Sequence, residues 1–331
     1  MINVLKLCVF TWLMLVFSLS YGATCTAQAP LLVSPANITV QRDVPVGTRL
    51  LQIRGNRAVP WKCSGSVTSH VMGIKTYGRF VQMQDGRNIY ATNIAGIGYA
   101  IGSEIDVTGC GGVVFYLGYG SSKNKNQLNM CGSGGLLGGG NAYMQPEIAF
   151  YKIGKSASGT INSGSLGVLV NELQSTWQTE VPVNVTAFTV TTLACSITTP
   201  SLNFPIGDIS AANFRGGIGS IPAGTEVNRN LGLDCDAGAN INVSLQGTQN
   251  PDVSNTSVLA LSGQGSAGVA QGVGVQLLYN GAPLELNKRL VLKTSGGGKE
   301  TFPVTARYYQ TKTTVVPGKA NTSATLDLTY Q

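Results

Sequence analysis

Ala324-Thr325-Leu326-Asp327-Leu328-Thr329-Tyr330-Gln331 closes the sequence and decides how the rest of it reads. Ala324, Leu326, Leu328 and Tyr330 alternate with Thr325, Asp327 and Thr329. An extended chain therefore puts its apolar side chains on one face. The spacing predicts a strand, and a single residue follows Tyr330. A sandwich ending on this strand is expected to have no residues left to cover its edge or close its core. An uncovered edge is an aggregation hazard and also a place where a partner can add a strand. Leu326, Leu328 and Tyr330 are the candidate strand-accepting residues, lining or flanking a groove.

The same alternation recurs upstream. Ile241, Val243 and Leu245 share a face, as do Val273, Val275, Leu277 and Tyr279, and Phe302, Val304, Ala306 and Tyr308. Asn280-Gly281 follows the second of these runs and predicts a tight hairpin. In the first half, Leu31–Val33, Leu50–Ile53, Asn88–Thr92, Val113–Leu117 and Glu147–Ile153 read as strands. The polar stretch from Gly120 to Gln127 and the glycine-rich one from Gly132 to Gly140 read as loops. No window carries a capped helical stripe. The expected fold is all-β, two β-sandwich domains joined end to end. Their joint is expected between Gln178 and Thr192, with Val181 to Thr186 as the last strand of the first domain and Thr189 to Thr192 as a short linker. The expected organisation is 1–22, 23–186 and 187–331.

The first of these stretches is a processing segment. Lys6 precedes an apolar run from Leu7 to Leu19, too short to span a bilayer comfortably, and Ser20-Tyr21-Gly22 fits a cleavage site. Removing it takes Cys8 away and leaves six of the seven cysteines. An even number in an exported chain reads as disulfides, grouped by neighbourhood as Cys25–Cys63, Cys110–Cys131 and Cys195–Cys235, with other pairings formally open. Each such loop contributes roughly 3–4 kcal/mol on the chain-entropy model.

Charged residues make up 11% of the chain, and the formal net charge is +7. Between Thr24 and Thr186 there are 12 lysines and arginines against 7 acids, net +5. From Ala187 onward there are 9 against 8, net +1. The positive charge belongs to the first half and favours an anionic partner, against the plainer reading of a solvated surface.

Catalytic chemistry has little to work with. His70 is the one histidine, so no second imidazole exists for a metal site or a triad. GxSxG, HExxH and the phosphate-loop pattern do not occur. Neither an enzyme nor a cofactor nor a nucleic-acid partner is expected. Aromatic and basic residues do interleave from Arg54 to Arg87, and such residues stack on sugar rings or pair with carboxylates and sulfates. Arg54, Trp61, Tyr77, Arg79, Lys123, Lys125 and Tyr143 are the candidate ligand-binding residues. The plainer reading puts the rings in the core and the cations in water.

From about Phe188 to Gln331 the sequence resembles a chaperone–usher pilin domain of the type 1 fimbrial class. The resemblance rests on Cys195 and Cys235, Gly272-Val273-Gly274-Val275-Gln276-Leu277, Phe302-Pro303-Val304-Thr305-Ala306-Arg307-Tyr308 with Pro317-Gly318 after it, and the penultimate Tyr330. The first half resembles the receptor-binding, lectin-like domain of two-domain fimbrial tip adhesins. The matching elements are Asp43-Val44-Pro45-Val46-Gly47-Thr48, the stretch from Ile89 to Tyr99, and Cys25 with Cys63. The resemblance implies an incomplete immunoglobulin-like pilin domain. A periplasmic pilus chaperone would lend it a strand, an outer-membrane usher would export it, and the adjacent fimbrial subunit would then replace the lent strand. It also implies an extracellular position at the fimbrial tip and attachment to a host glycan or matrix protein. The alternative is a minor structural adaptor without a receptor. The Cys110–Cys131 loop departs from the mannose-specific pattern.

Overall fold

Strand periodicity sets the architecture. The computed structural model describes residues 24–65, 70–107, 111–118, 122–133 and 142–331. The processing segment and Cys110 lie outside them. Among the described residues, strands are joined by turns, and one short 3-10 turn occurs at Ala211–Asn213.

In the first half, one sheet has the order Arg49–Arg54, Tyr143–Lys152, Ile97–Asp106, Arg87–Ala91, Phe80–Gln84, with Val114–Tyr116 added beside Ile97–Asp106. Facing it, a second sheet runs Ser122–Asn124, Gln127–Ser133, His70–Lys75, Gly164–Leu173, Val181–Val185, Leu31–Val33. A smaller sheet sets Phe188–Leu193 between Gly159–Ile161 and Ile38–Gln41. Inward residues of all three, including Val33, Ile74, Ile101, Phe150, Leu169, Val183 and Phe188, form one core. Burying side chains of this kind is worth about 1.5–3 kcal/mol each.

Two local expectations change here. Thr189 to Thr192 is not a linker. It belongs to the strand Phe188–Leu193, which pairs in parallel with Ile38–Gln41 and sends Phe188 and Val190 into the first core. The stretch from Gly120 to Gln127 is not wholly loop, because Ser122–Asn124 pairs with Gln127–Ser133.

A second core begins at Leu193 and runs to Tyr330. One of its sheets has the order Cys195–Ile197, Val227–Cys235, Gly298–Gln310, Val273–Tyr279, Ala282–Pro283. The other has Arg289–Thr294, Asn240–Gln246, Thr325–Tyr330. Asn280 and Gly281 both have positive φ, 47° and 78°, as a tight hairpin of this twist requires.

Cys25 is bonded to Cys63 and Cys195 to Cys235. Cys131 is buried and disulfide-bonded. The expected pairing of Cys131 with Cys110 involves a residue outside the described set.

Candidate functional site

The terminal strand Thr325–Tyr330 pairs on one side only, antiparallel to Asn240–Gln246. In an antiparallel pair, alternate residues direct their main-chain groups toward the partner and away from it. Leu245 O accepts from Asn287 N–H, and Tyr330 makes its main-chain bonds to a residue outside this sheet. Both place Leu326, Leu328 and Tyr330 in the set whose N–H and C=O groups point outward.

Opposite this edge lies an extended segment without a ladder. Leu202, Phe204 and Ile206 are half-buried and alternate with exposed Ser201, Asn203, Pro205 and Gly207. This is strand periodicity. Yet among the described residues, 200–209 form no main-chain hydrogen bond. A groove of about 1250 Å³ separates the two walls. Leu231, Leu259, Val273, Val275, Leu277, Ala306 and Tyr308 line it, as do Leu326 and Leu328. Asp208 and Lys319 are its charged lining residues. Aliphatic and aromatic side chains form its floor, polar ones stand along its rim, and among the described residues both walls carry unpaired main chain, the geometry that takes up one extended strand.

Tyr330, the third residue expected here, flanks the groove without lining it. Its side chain is 1% exposed and its hydroxyl donates to Cys195 O at 3.3 Å. Its main chain meets the first half of the chain. Asp43 N–H donates to Tyr330 O at 2.9 Å, and Tyr330 N–H donates to Asp43 Oδ2 at 2.9 Å. Gln331 Nε2 donates to Asp43 O at 3.1 Å. The Arg42 guanidinium is ion-paired to Asp43 at 2.9 Å and stands 4.5 Å from the Tyr330 ring centre. Behind this turn the buried Lys152 donates to Arg42 O at 2.6 Å and to Ser156 Oγ at 3.1 Å. Gln41 adds a second tie, to Gly238 O and Asn240 N–H.

Burial alone would raise the Asp43 carboxyl. The hydrogen bonds from Arg42 and Tyr330 N–H, with the charges of Arg42 and Lys152, hold it below its usual range. A carboxyl depressed in the native contact contributes stability above its free value near 3.9, and loses it as pH falls through the native value. The junction is therefore expected to hold at neutral pH and to loosen below about pH 4. Small-angle scattering of the full chain from neutral to acid pH checks this, with a larger radius expected before the strands unfold.

The candidate ligand residues of the first half fall in separate places. At one end, Arg54 donates to Glu147 Oε2 at 2.5 Å and to Glu104 at 2.9 Å, and Glu147 is 2% exposed. Nearby, Arg57 pairs with Asp106 and stands 4.8 Å over the ring of Tyr143. On the side of the sandwich, Tyr77 is 69% exposed and borders a cleft of about 310 Å³ with Asn93, Asn162 and Ser165. Lys75 and the Tyr77 hydroxyl both bind Glu180, at 2.9 and 2.6 Å. Arg79 is exposed, with no ion pair among the described residues. Lys125 sits 4.3 Å over the Phe80 ring. Lys123 lies on Ser122–Asn124, and its side chain is outside the described set.

Trp61 is a correction. It is 3% exposed, packs in the first core and donates its indole N–H to Thr179 O at 2.8 Å. It has no face for a ligand, because an indole this large is buried where its N–H finds an acceptor. The sequence reading missed Asn93 and Asn162, since neither is basic or aromatic. It also missed the wall from Leu202 to Ile206, whose alternation was readable.

Residues 182–331 match the model of the family described as fimbrial protein. A fimbria adhesin protein of Klebsiella pneumoniae is 25% identical over 347 residues, covering 98% of this chain and 99% of that one. Among solved structures, the CupB6 tip adhesin of Pseudomonas aeruginosa is 14% identical, with 93% of this chain and 94% of that one covered and a TM-score of 0.36. The receptor binding domain of the plasmid-borne adhesin MrkD1P of Klebsiella pneumoniae is 18% identical over 53% of this chain and 99% of that one, with a TM-score of 0.36.

Proposed function

We propose, for a chain whose C-terminal half is a fimbrial protein domain, that it is a fimbrial tip adhesin with two working parts. The part up to about Leu193 binds a surface receptor. The part from there to Gln331 joins the fimbria by taking a strand from a neighbour into the groove beside Leu326 and Leu328. The groove carries this reading: two walls with unpaired main chain facing each other across an apolar floor. A periplasmic chaperone would fill it during transit to the usher, and the adjacent subunit would fill it afterward. The stretch before Cys195 supports a terminal position, because Phe188–Leu193 is built into the first core and is not free to fill another subunit. The protein works without catalysis. Many copies on one cell multiply a weak contact into firm attachment.

For the receptor, the surface around Tyr77, Arg79 and Lys125 is the part of the candidate set that stays accessible. An exposed ring, an unpaired guanidinium and a lysine suit an anionic glycan or an acidic stretch of matrix protein. The second reading, an adaptor without a receptor, draws support from the pairing of Arg54, one of the four cationic candidates, with Glu104 and Glu147, and from that of Lys75 with Glu180. An array of glycans and matrix proteins probed with the full chain separates the two. Capture is expected on anionic members. It should fall as salt rises from about 0.1 to about 1 M, which shortens the screening length from ~10 to ~3 Å. Capture unchanged by salt would remove the electrostatic part, and no capture at all would favour the adaptor.

A further inference from the structure

The outward edge of the terminal strand is not open along its whole length. Its outward groups belong to Leu326, Leu328 and Tyr330. At Tyr330 both are occupied, one by Asp43 N–H and one by Asp43 Oδ2, each at 2.9 Å. At Leu328 the carbonyl faces Arg42 Nη2 at 3.5 Å. Leu328 N–H and both groups of Leu326 make no such bond among the described residues. Asp43 thus stands where the next residue of an added strand would stand.

The turn that presents Asp43 is held from several sides. Arg42 N–H donates to Leu193 O at 2.9 Å, Lys152 holds Arg42 O, and Val44 N–H closes on Gln41 O at 3.3 Å. Gly47, at φ +94°, lies in the next turn, which Thr48 N–H closes on Pro45 O at 3.2 Å, and there a Cβ would meet the Gln84 side chain at 2.8 Å. A support of this kind does not yield easily to an incoming strand, because moving it would cost the buried Lys152 ammonium its bond to Arg42 O and leave it Ser156 Oγ alone.

We propose that the Arg42–Asp43 turn is a stop built by the first domain into the acceptor groove, and that it sets the register and length of the strand the groove accepts. This rests on the strand-accepting reading above. Pairing proceeds along Leu326 to Leu328 and ends there, because Tyr330 is already bonded. Alternation excludes a slip of one residue, which would turn the apolar face of the strand out of the groove, and the stop excludes a slip of two toward Tyr330. Arg42 and Asp43 are positioning residues, acting through the edge of the terminal strand.

The test uses the full chain and synthetic peptides of alternating valine and threonine, each carrying a terminal lysine pair. They are lengthened two residues at a time at either end, and their affinities are measured by calorimetry. With the unaltered chain, affinity is expected to rise with length and then level off. The double variant Arg42→Ala, Asp43→Ala frees Leu328 O and Tyr330 N–H and leaves the main-chain N–H of residue 43 on Tyr330 O, so the plateau should come two residues later, with a further gain of roughly fivefold. The shortest peptides should bind both chains alike, which shows the groove intact. Asp43→Asn keeps an oxygen for Tyr330 N–H and should keep the original plateau. A double variant with the same plateau as the unaltered chain overturns the stop while leaving strand acceptance in place. If no peptide binds either chain, strand acceptance falls and the stop with it. If the double variant fails to bind even short peptides, Arg42→Ala alone decides. It frees Leu328 O and should move the plateau outward; no movement overturns the proposal.

Discussion

Tyr330→Ala is expected to destabilise the second domain by about 3–5 kcal/mol, the range for removing a fully buried aromatic side chain. The ring is 1% exposed and packs in the second core. The lost hydroxyl would strand Cys195 O, and the Arg42 guanidinium would lose the ring 4.5 Å away. These are smaller contributions, of about 1 kcal/mol each. Thermal unfolding should shift down by roughly 10 °C or more. Gln331→Ala is the matched control. Gln331 is exposed and gives up its contacts with Asp43 O and Arg289, so a change of about 0.5 kcal/mol or less is expected. A large loss at Tyr330 beside a small one at Gln331 would locate the stability in the buried ring, not in the junction. Equal losses would place it in the junction.

Tyr330 also shows what the sequence could and could not disclose. Its alternation with Leu328 and Leu326 was visible, and the strand stands where that alternation put it, at Thr325–Tyr330. Period two reports which side chains share a face, and it cannot report which elements the main chain meets. The contact with Asp43 spans 287 positions and joins two cores. Nothing local in either segment encodes it. The stretch Asp43 to Thr48 was recognisable as a motif, and its place at the junction became evident only in three dimensions.

The strands follow the same logic. Val273–Tyr279 and its Asn280-Gly281 turn were legible because alternation and turn chemistry agree. Most of Phe188–Leu193 was read as a linker, because its parallel partner, Ile38–Gln41, lies far off in sequence. The wall from Leu202 to Ile206 was overlooked because Pro200 and Pro205 argue against a paired strand. They are consistent with a wall that has no ladder. For the ligand residues, composition alone was a poor guide. Arg54 and Tyr77 are both in aromatic–basic stretches, yet Arg54 is held by two acids, while Tyr77, tied to Glu180 through its hydroxyl alone, is 69% exposed beside a cleft. Only the neighbours across the sheet distinguish them.

The central claim is that the edge beside Leu326 and Leu328 receives a strand from another subunit. Hydrogen exchange at the amides of Leu326 and Leu328, in the free chain and in assembled fimbriae, tests it most directly. Both amides point outward and have no main-chain acceptor among the described residues, so they should exchange quickly in the free chain. In the fimbria they should slow by about two orders of magnitude, equivalent to ~2.7 kcal/mol of local protection. The amide of Val243, bonded within its own sheet, should be protected in both states. Exchange at Leu326 and Leu328 that stays equally fast in the assembled fimbria would contradict the account.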